Sequence, residues 1–292
     1  MLVSEFFSRL FLSDDRRYRF VSEPWEPGFV RRNLPLIAKG LIWSWLRVKP
    51  LEGGPEYYRA LFMAAVVTLF KRQTSHPGKF LRKDVWVEYG GLKYLLTRET
   101  VFGYYLHLFE LRTADILCSL SGDVFLDVGA NVGQYAIPLA KRFQTVVAVE
   151  PNPVAVEILQ RNLARNRLTN VRIISKAISS NRGYVLLIEG EYLTTWGLNQ
   201  TGARNIRVES ITIDDLLEEF EKVDLMKVDI EGQESRVLLA AQSLVKVRHL
   251  SFADPRPIRL ELETKLRSLG FSLRFPSSPW QVEENVDAIQ SS

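Results

Sequence analysis

The stretch VFLDVGANVGQY, Val124 to Tyr135, decides how the rest of the chain is read. Val124, Phe125 and Leu126 form a short apolar run that suits a parallel strand buried on both faces, and Gly129 and Gly133 bracket the bend behind it. Past the bend, Val132, Tyr135, Ala136, Leu139 and Ala140 recur at helical spacing. The pattern is therefore a strand over 124–128, a glycine turn and a helix over 131–142. Such a turn aims backbone N–H groups and the positive end of a helix dipole at whatever docks there, which is a cofactor geometry. A tight connection that uses glycine only for its torsions gives the same local pattern.

Outward from this stretch, strands alternate with helices. TVVAVE precedes a helix over 153–166, VRIISKAI fills 171–178, VDLMKVD precedes a helix over 235–245, HLSFAD precedes one over 257–269, and FSLRF follows. This alternation predicts an α/β, doubly wound, mostly parallel sheet, with ligands beyond the carboxyl ends of its strands. Upstream, VWVEYGGLKYLL alternates around Gly90-Gly91 and reads as a β-hairpin, and Tyr104 to Leu117 reads as a helix.

The second strand ends in Glu150, 21 residues after Gly129, at the tip of the strand beside the glycine turn. A carboxylate there can accept both ribose hydroxyls of an adenosyl group. A solvated strand-end charge is the plainer alternative. Asn152 caps the next helix, whose first residue is Pro153. The dinucleotide fingerprint G-x-G-x-x-G fails because Gln134 stands at the third glycine; D-x-G-x-N-x-G is present instead, with Asp127 at the strand end. An acid at that point repels a pyrophosphate but suits the ammonium of a methionine moiety, so S-adenosylmethionine fits both carboxylates.

The chain resembles the FkbM-type S-adenosylmethionine-dependent methyltransferases. The resemblance rests on DVGANVGQY, VEPNPVAVEILQRNLARNRLTNVRIISKAIS, VESITIDDLL and above all VDLMKVDIEGQESRVLLAA, covering roughly Val85 to Phe271. It implies a seven-stranded class I methyltransferase (Rossmann-like) sheet with an antiparallel last strand, and O-methylation of a hydroxyl on a sugar, glycan, lipid-linked saccharide or polyketide. It also assigns Asp127, Gly129, Asn131 and Gly133 to the methionine part of the cofactor and Glu150 to the ribose, with Ser175, Lys176 and Ala177 near the adenine. Glu110 resembles an acidic position common in the family, or is a surface helix charge. The family often has a glutamate ending the fifth strand; this chain has Asp254 in SFADPRP.

Chemistry is expected at the fourth strand. Lys227 and Asp229 lie two apart and share a face, with Glu231 just beyond the tip. Asp229 is placed to hold the methyl end of the cofactor or orient the acceptor hydroxyl, and Asp229, Glu231 and Lys227 are the catalytic candidates. An ion pair with a neighbouring carboxylate is the structural alternative for Lys227. Glu234 and Gly232 suit a helix start and a turn, and His107 is a further candidate base or a structural histidine. Trp196 could stack on a sugar face or anchor its loop. No three-ligand metal spacing is present, and no metal is expected. A nucleic-acid methyltransferase acting on amino groups leans on an N/D-P-P-Y turn after this strand, where the chain reads DIEG. A non-catalytic S-adenosylmethionine-binding or membrane-surface module remains the rival of a different class.

The 292 residues are 46% hydrophobic and 25% charged, ordinary globular material. A lone Cys118 excludes an internal disulfide, and His76, His107 and His249 are scattered, which suits a reducing, cytoplasmic setting. MLVSEFFSRLFLSDDRR breaks its apolar run with charges, unlike a secretory signal. Residues 1–83 hold 15 Lys+Arg against 7 Asp+Glu, and turn-formers at Thr74 to Lys79 suggest a boundary. A basic helical region over 1–83 and a methyltransferase domain over 84–292 are thus expected. LPLIAKGLIWSWLRVKP and YYRALFMAAVVTLFKRQ read as apolar helices beside basic residues, either a cap over the acceptor cleft or a peripheral membrane contact.

Overall fold

A computed structural model describes residues 45–71, 77–100, 111–188, 205–253, 260–274 and 285–290. β1 (Lys49–Glu52) leads into helix α1 (Gly54–Lys71), a 3-10 turn at Pro77–Phe80, and the hairpin β2 (Val85–Tyr89) and β3 (Leu92–Leu96). β1 pairs antiparallel with β2, and β2 with β3, so the expected hairpin forms. The segment read as helical through Pro50 instead becomes strand at Lys49, because proline cannot donate within a helix. Helix α2 (Leu111–Leu117) is the described part of the helix expected from Tyr104; 104–110 lie outside the described residues.

The large sheet begins with β4 (Gly122–Val128), whose Phe125, Leu126 and Val128 are fully buried. The helix expected over 131–142 is only α3 (Ala136–Leu139), since Asn131 and Gly133 both take positive φ and prolong the turn. β5 (Phe143–Val149), α4 (Pro153–Asn166) and β6 (Val171–Ile174) follow. Asn152 caps α4 by accepting from the Val154 N–H at 3.0 Å, with Pro153 in the first turn, as the sequence predicts.

The strand read over 171–178 is divided. Past β6 the chain leaves the large sheet, and β7 (Ala177–Ile178) joins a second sheet with β8 (Gly183–Ile188) and β9 (Asn205–Ile211). Helix α5 (Ile213–Leu217) opens on a Thr212/Asp215 capping box. Then come β10 (Val223–Val228), α6 (Glu234–Ala240), β11 (Val247–Ala253), α7 (Leu260–Ser268), β12 (Phe271–Arg274) and β13 (Asn285–Gln290). Helix α6 stops at Ala240, short of the expected 245, and α7 begins its described length at Leu260.

The seven-stranded sheet runs β12-β13-β11-β10-β4-β5-β6. β4, β5, β6, β10 and β11 are parallel, while β13 is antiparallel to both β11 and β12. Counted along the chain, these strands lie in the order third, second, first, fourth, fifth, seventh, sixth. This is the class I methyltransferase sheet, and its winding reverses between β4 and β10, above which a ligand crevice opens.

Residues alternate between two cores across the sheet. Phe125, Val146, Ala148 and Leu225 share a core with Tyr57, Leu95, Leu117 and Leu159, while Leu126, Met226, Val228 and Phe252 pack with Val237, Leu262 and Leu266. The N-terminal elements thus complete one face of the sheet. Two asparagines of α4 join them to it. Asn162 accepts from the Leu95 N–H at 2.7 Å and donates to the Val132 carbonyl at 2.9 Å, and Asn166 brackets Lys93 through both its N–H and its carbonyl.

Candidate active site

The crevice is framed by the ends of β4, β5 and β10. Gly129 has φ +86°, and a Cβ there would lie 1.8 Å from the Asp229 carbonyl oxygen. Only glycine lets the two strand ends meet this closely. A Cβ on Gly133 would sit 2.6 Å from Ile137 and 2.7 Å from Leu159, so that glycine serves close packing of the turn on α3 and α4.

Glu150 lies at the tip of β5 and is nearly buried. Its two oxygens accept from the Asn131 N–H at 2.9 Å and the Asn152 N–H at 2.8 Å, which fixes the carboxylate against the glycine turn. Burial pushes its pKa up to about 7, against these two hydrogen bonds, and the charge of Asp127 raises it further. The Asn131 Oδ1 and Asn152 Nδ2 beside it are buried with no hydrogen-bond partner. A carboxylate with spare lone pairs, an amide acceptor and an amide donor converge there. This set fits the two hydroxyls of an adenosyl ribose.

At the tip of β10, Lys227 is buried and donates to Asp229 Oδ2 at 2.7 Å, while Asp229 itself stays 36% exposed. The ion pair foreseen for Lys227 is present. The ammonium also lies 4.8 Å from the Tyr135 ring centroid, a cation–π contact that the helical reading of Tyr135 missed. Glu231 follows at φ +58°, an unusual conformation for a residue with a side chain. Burial pushes its pKa up to about 8, and the charges of Asp229 and Glu234 add to the rise. Glu234 accepts from the Ile230 N–H at 2.7 Å and the Gly232 N–H at 3.2 Å, so it holds the turn together. Burial raises its pKa as well.

Asp127, Glu150, Asp229, Glu231 and Glu234 therefore interact electrostatically around one lysine. Such surroundings favour a ligand that brings positive charge, as a sulfonium and an ammonium do. The third-strand residues sit farther out: Ser175 is exposed, Lys176 pairs with Glu209 at 2.6 Å, and Ala177 is buried in β7. His107, Glu110, Trp196 and Asp254 lie outside the described residues. Among the described residues no group of three or more His, Cys, Asp or Glu could hold a metal ion.

Fold and crevice define an S-adenosylmethionine-dependent methyltransferase of class I. Residues 127–273 match the family model described as Methyltransferase FkbM domain, and the chain belongs to that family, whose cofactor is S-adenosylmethionine. Methyltransferase sdnD of Sordaria araneosa is 26% identical over 224 residues, which cover 62% of this chain and 85% of that protein. The 31-O-demethyl-FK506 methyltransferase FkbM of Streptomyces tacrolimicus is 29% identical over 176 residues, 48% of this chain and 64% of that one. A probable ribosomal RNA small subunit methyltransferase A of Methanosphaera stadtmanae matches over 64 residues at 36% identity, only 22% of either chain.

Proposed function

We propose that the chain transfers the methyl group of S-adenosylmethionine to a hydroxyl oxygen of a sugar, glycan or lipid-linked saccharide. The observation that carries this reading is the Lys227–Asp229 pair at the tip of β10, with Asp229 exposed to the crevice and its backbone against Gly129. In-line transfer from a sulfonium gains much of its rate from positioning, but a hydroxyl acceptor has to lose its proton. Asp229, oriented by Lys227, accepts that proton, and Glu231 stands beside it. Asp127, Gly129 and Gly133 form the methionine end of the cofactor site, Glu150, Asn131 and Asn152 hold the ribose, and Ser175, Lys176 and Ala177 border the adenine.

The relative from Streptomyces tacrolimicus is named for 31-O-demethyl-FK506, which supports an oxygen acceptor here. The DIEG turn where amino-group nucleic-acid methyltransferases carry N/D-P-P-Y argues against nucleic acid. The test is to incubate purified protein with S-adenosylmethionine and a panel of monosaccharides, glycans and lipid-linked saccharides, following S-adenosylhomocysteine release. Turnover with a saccharide supports the reading; S-adenosylmethionine binding with no turnover on any hydroxyl acceptor would leave the non-catalytic alternative standing.

A second element of the reading concerns location, a cytoplasmic protein with peripheral membrane contact through residues 1–83. Trp45, Leu46 and Phe62 are 61%, 64% and 65% exposed, and Lys49, Arg82 and Lys83 beside these elements are also exposed, a mix that suits a membrane interface. No described helix is long and apolar enough to cross a membrane.

A further inference from the structure

The register of the large sheet aligns polar residues that lie far apart in sequence. Asp127 of β4 is opposite Lys227 of β10, Lys227 is opposite Ser251 of β11, and Ser251 is opposite Asp287 of β13. Paired residues of neighbouring strands project from the same face, so these four form one row across the sheet. His249 stands two residues before Ser251 on that face, and its Nε2 lies 3.5 Å from Asp287 Oδ1.

Ser251, Asp287 and His249 are 0%, 1% and 6% exposed. Ser251 Oγ, His249 Nε2 and both carboxylate oxygens of Asp287 have no hydrogen-bond partner. Leaving such groups unsatisfied is costly, and native proteins satisfy them with ordered water held by two to four polar contacts. Neighbouring strands lie about 4.8 Å apart, so Lys227 and Asp287 are separated by roughly 10 Å with Ser251 midway. One or two waters beside the Ser251 hydroxyl can span that gap. At its open end the row meets Asp229 through the 2.7 Å bond from Lys227.

We propose that Ser251, Asp287 and His249 form a hydrated proton path that leads away from the Lys227–Asp229 pair along the sheet face. The proposal rests on the hydroxyl-acceptor reading above. Methylation of a hydroxyl makes an oxygen–carbon bond, returns the carbon–sulfur electron pair to sulfur and frees one proton. Asp229 takes that proton, Lys227 passes one of its own through water and Ser251 to the His249–Asp287 pair and is reprotonated by Asp229, and the stored proton returns by the same row to leave for solvent at Asp229, which is 36% exposed. Charged groups that share this face among the described residues are Asp123, Asp127, Glu150, Lys227, Asp229, Asp287 and, on the outer strand, Arg274. Ser251 and Asp287 act through other groups and are positioning residues.

The test uses the full chain labelled with nitrogen-15. His249 ring signals, identified by their loss in His249→Gln, are followed against pH in the wild type, Asp229→Asn, Ser251→Ala and the double variant. The path predicts that Asp229→Asn shifts the His249 titration midpoint and that this shift shrinks when Ser251 is alanine. Identical titration of His249 in the wild type and Asp229→Asn overturns it, as does a shift unaffected by Ser251→Ala. Ser251→Ala removes one hydroxyl and leaves the packing volume nearly intact, so the coupling is read in a folded protein. With an acceptor in hand, Ser251→Ala lowers kcat severalfold at unchanged KM and cofactor affinity, and Ser251→Thr restores it. If no hydroxyl acceptor is ever turned over while the coupling persists, the hydroxyl reading has failed and the hydrogen-bonded row has not.

Discussion

Glu150 shows how one buried carboxylate links the turn, the cofactor and pH. In the proposed site its charged form receives the ribose hydroxyls, and burial raises its pKa to about 7, so the charged fraction grows as pH rises through that value. Affinity for S-adenosylhomocysteine should therefore rise as pH increases from 6 to 8, measurable by calorimetry, and a flat profile would remove the carboxylate from the ribose site. Glu150→Ala should weaken cofactor binding by about 1.5–3 kcal/mol, the worth of hydrogen bonds to a charged group. Asp229 makes the opposite case. It lies at the strand tip, 36% exposed, but pairs with the buried Lys227, so Asp229→Asn should abolish turnover and also lower the melting temperature, while cofactor-bound protein still folds. Retained methyl transfer in that variant would exclude Asp229 as the proton acceptor.

Among the elements, the turn after β4 depends on α4 more than on its own helix. α3 has one turn of buried residues, and the Val132 carbonyl is held by Asn162, a residue of α4 that also accepts from the Leu95 N–H of β3. One side chain thus ties the glycine turn to the N-terminal hairpin. Replacing it by leucine keeps the branched shape, with bulkier methyl groups, but orphans a buried donor and a buried acceptor, at a cost of about 1–3 kcal/mol for each. Denaturant unfolding of Asn162→Leu should show that loss, together with weaker cofactor binding because the turn is released. Unchanged affinity in a destabilised protein would mean that the turn holds its shape without α4.

For the whole molecule, the buried carboxylates set the pH dependence of stability. Glu150 and Glu231 have folded pKa values of about 7 and about 8, above the ordinary 4.5, so the folded state binds more protons than the unfolded state between those limits. Their contribution is therefore lost as pH rises from about 4.5 to 8. Glu56, held down to about 2 by Arg59, acts in the other direction and loses its contribution as pH falls below 4.5. The apo protein should unfold more readily at pH 8 than at pH 6, and saturating S-adenosylhomocysteine should narrow the difference. At the same scale, α1 and β1 pack into the core that closes one sheet face, since Val48, Tyr57, Ala60 and Leu61 are buried there. Removal of residues 1–83 should leave a poorly soluble core, and a well-folded 84–292 fragment would instead mark these residues as a separate domain. Full-length protein should co-sediment with anionic vesicles at low salt and dissociate at high salt, and failure to bind at low salt would exclude the membrane contact.

Period-two and helical patterns, together with DVGANVGQY and the KVDIEG stretch, determined the class I sheet, the glycine turn and the carboxylates at the tips of β5 and β10. These signals are local, carried by residues close in sequence. β8, β9 and β13 were illegible as sheet members because their partners lie far along the chain, and Lys49–Glu52 became strand only through pairing with Val85–Tyr89. The sequence placed Glu231 beside Asp229, but its positive φ follows from a turn whose N–H groups are gathered by Glu234. Likewise His249 and Ser251 stand at alternate positions of HLSFAD, a visible hint of a polar face, yet nothing local says that Asp287 meets them. Register between strands brings those three to Lys227, and register is a long-range property, set when the sheet closes around its two cores.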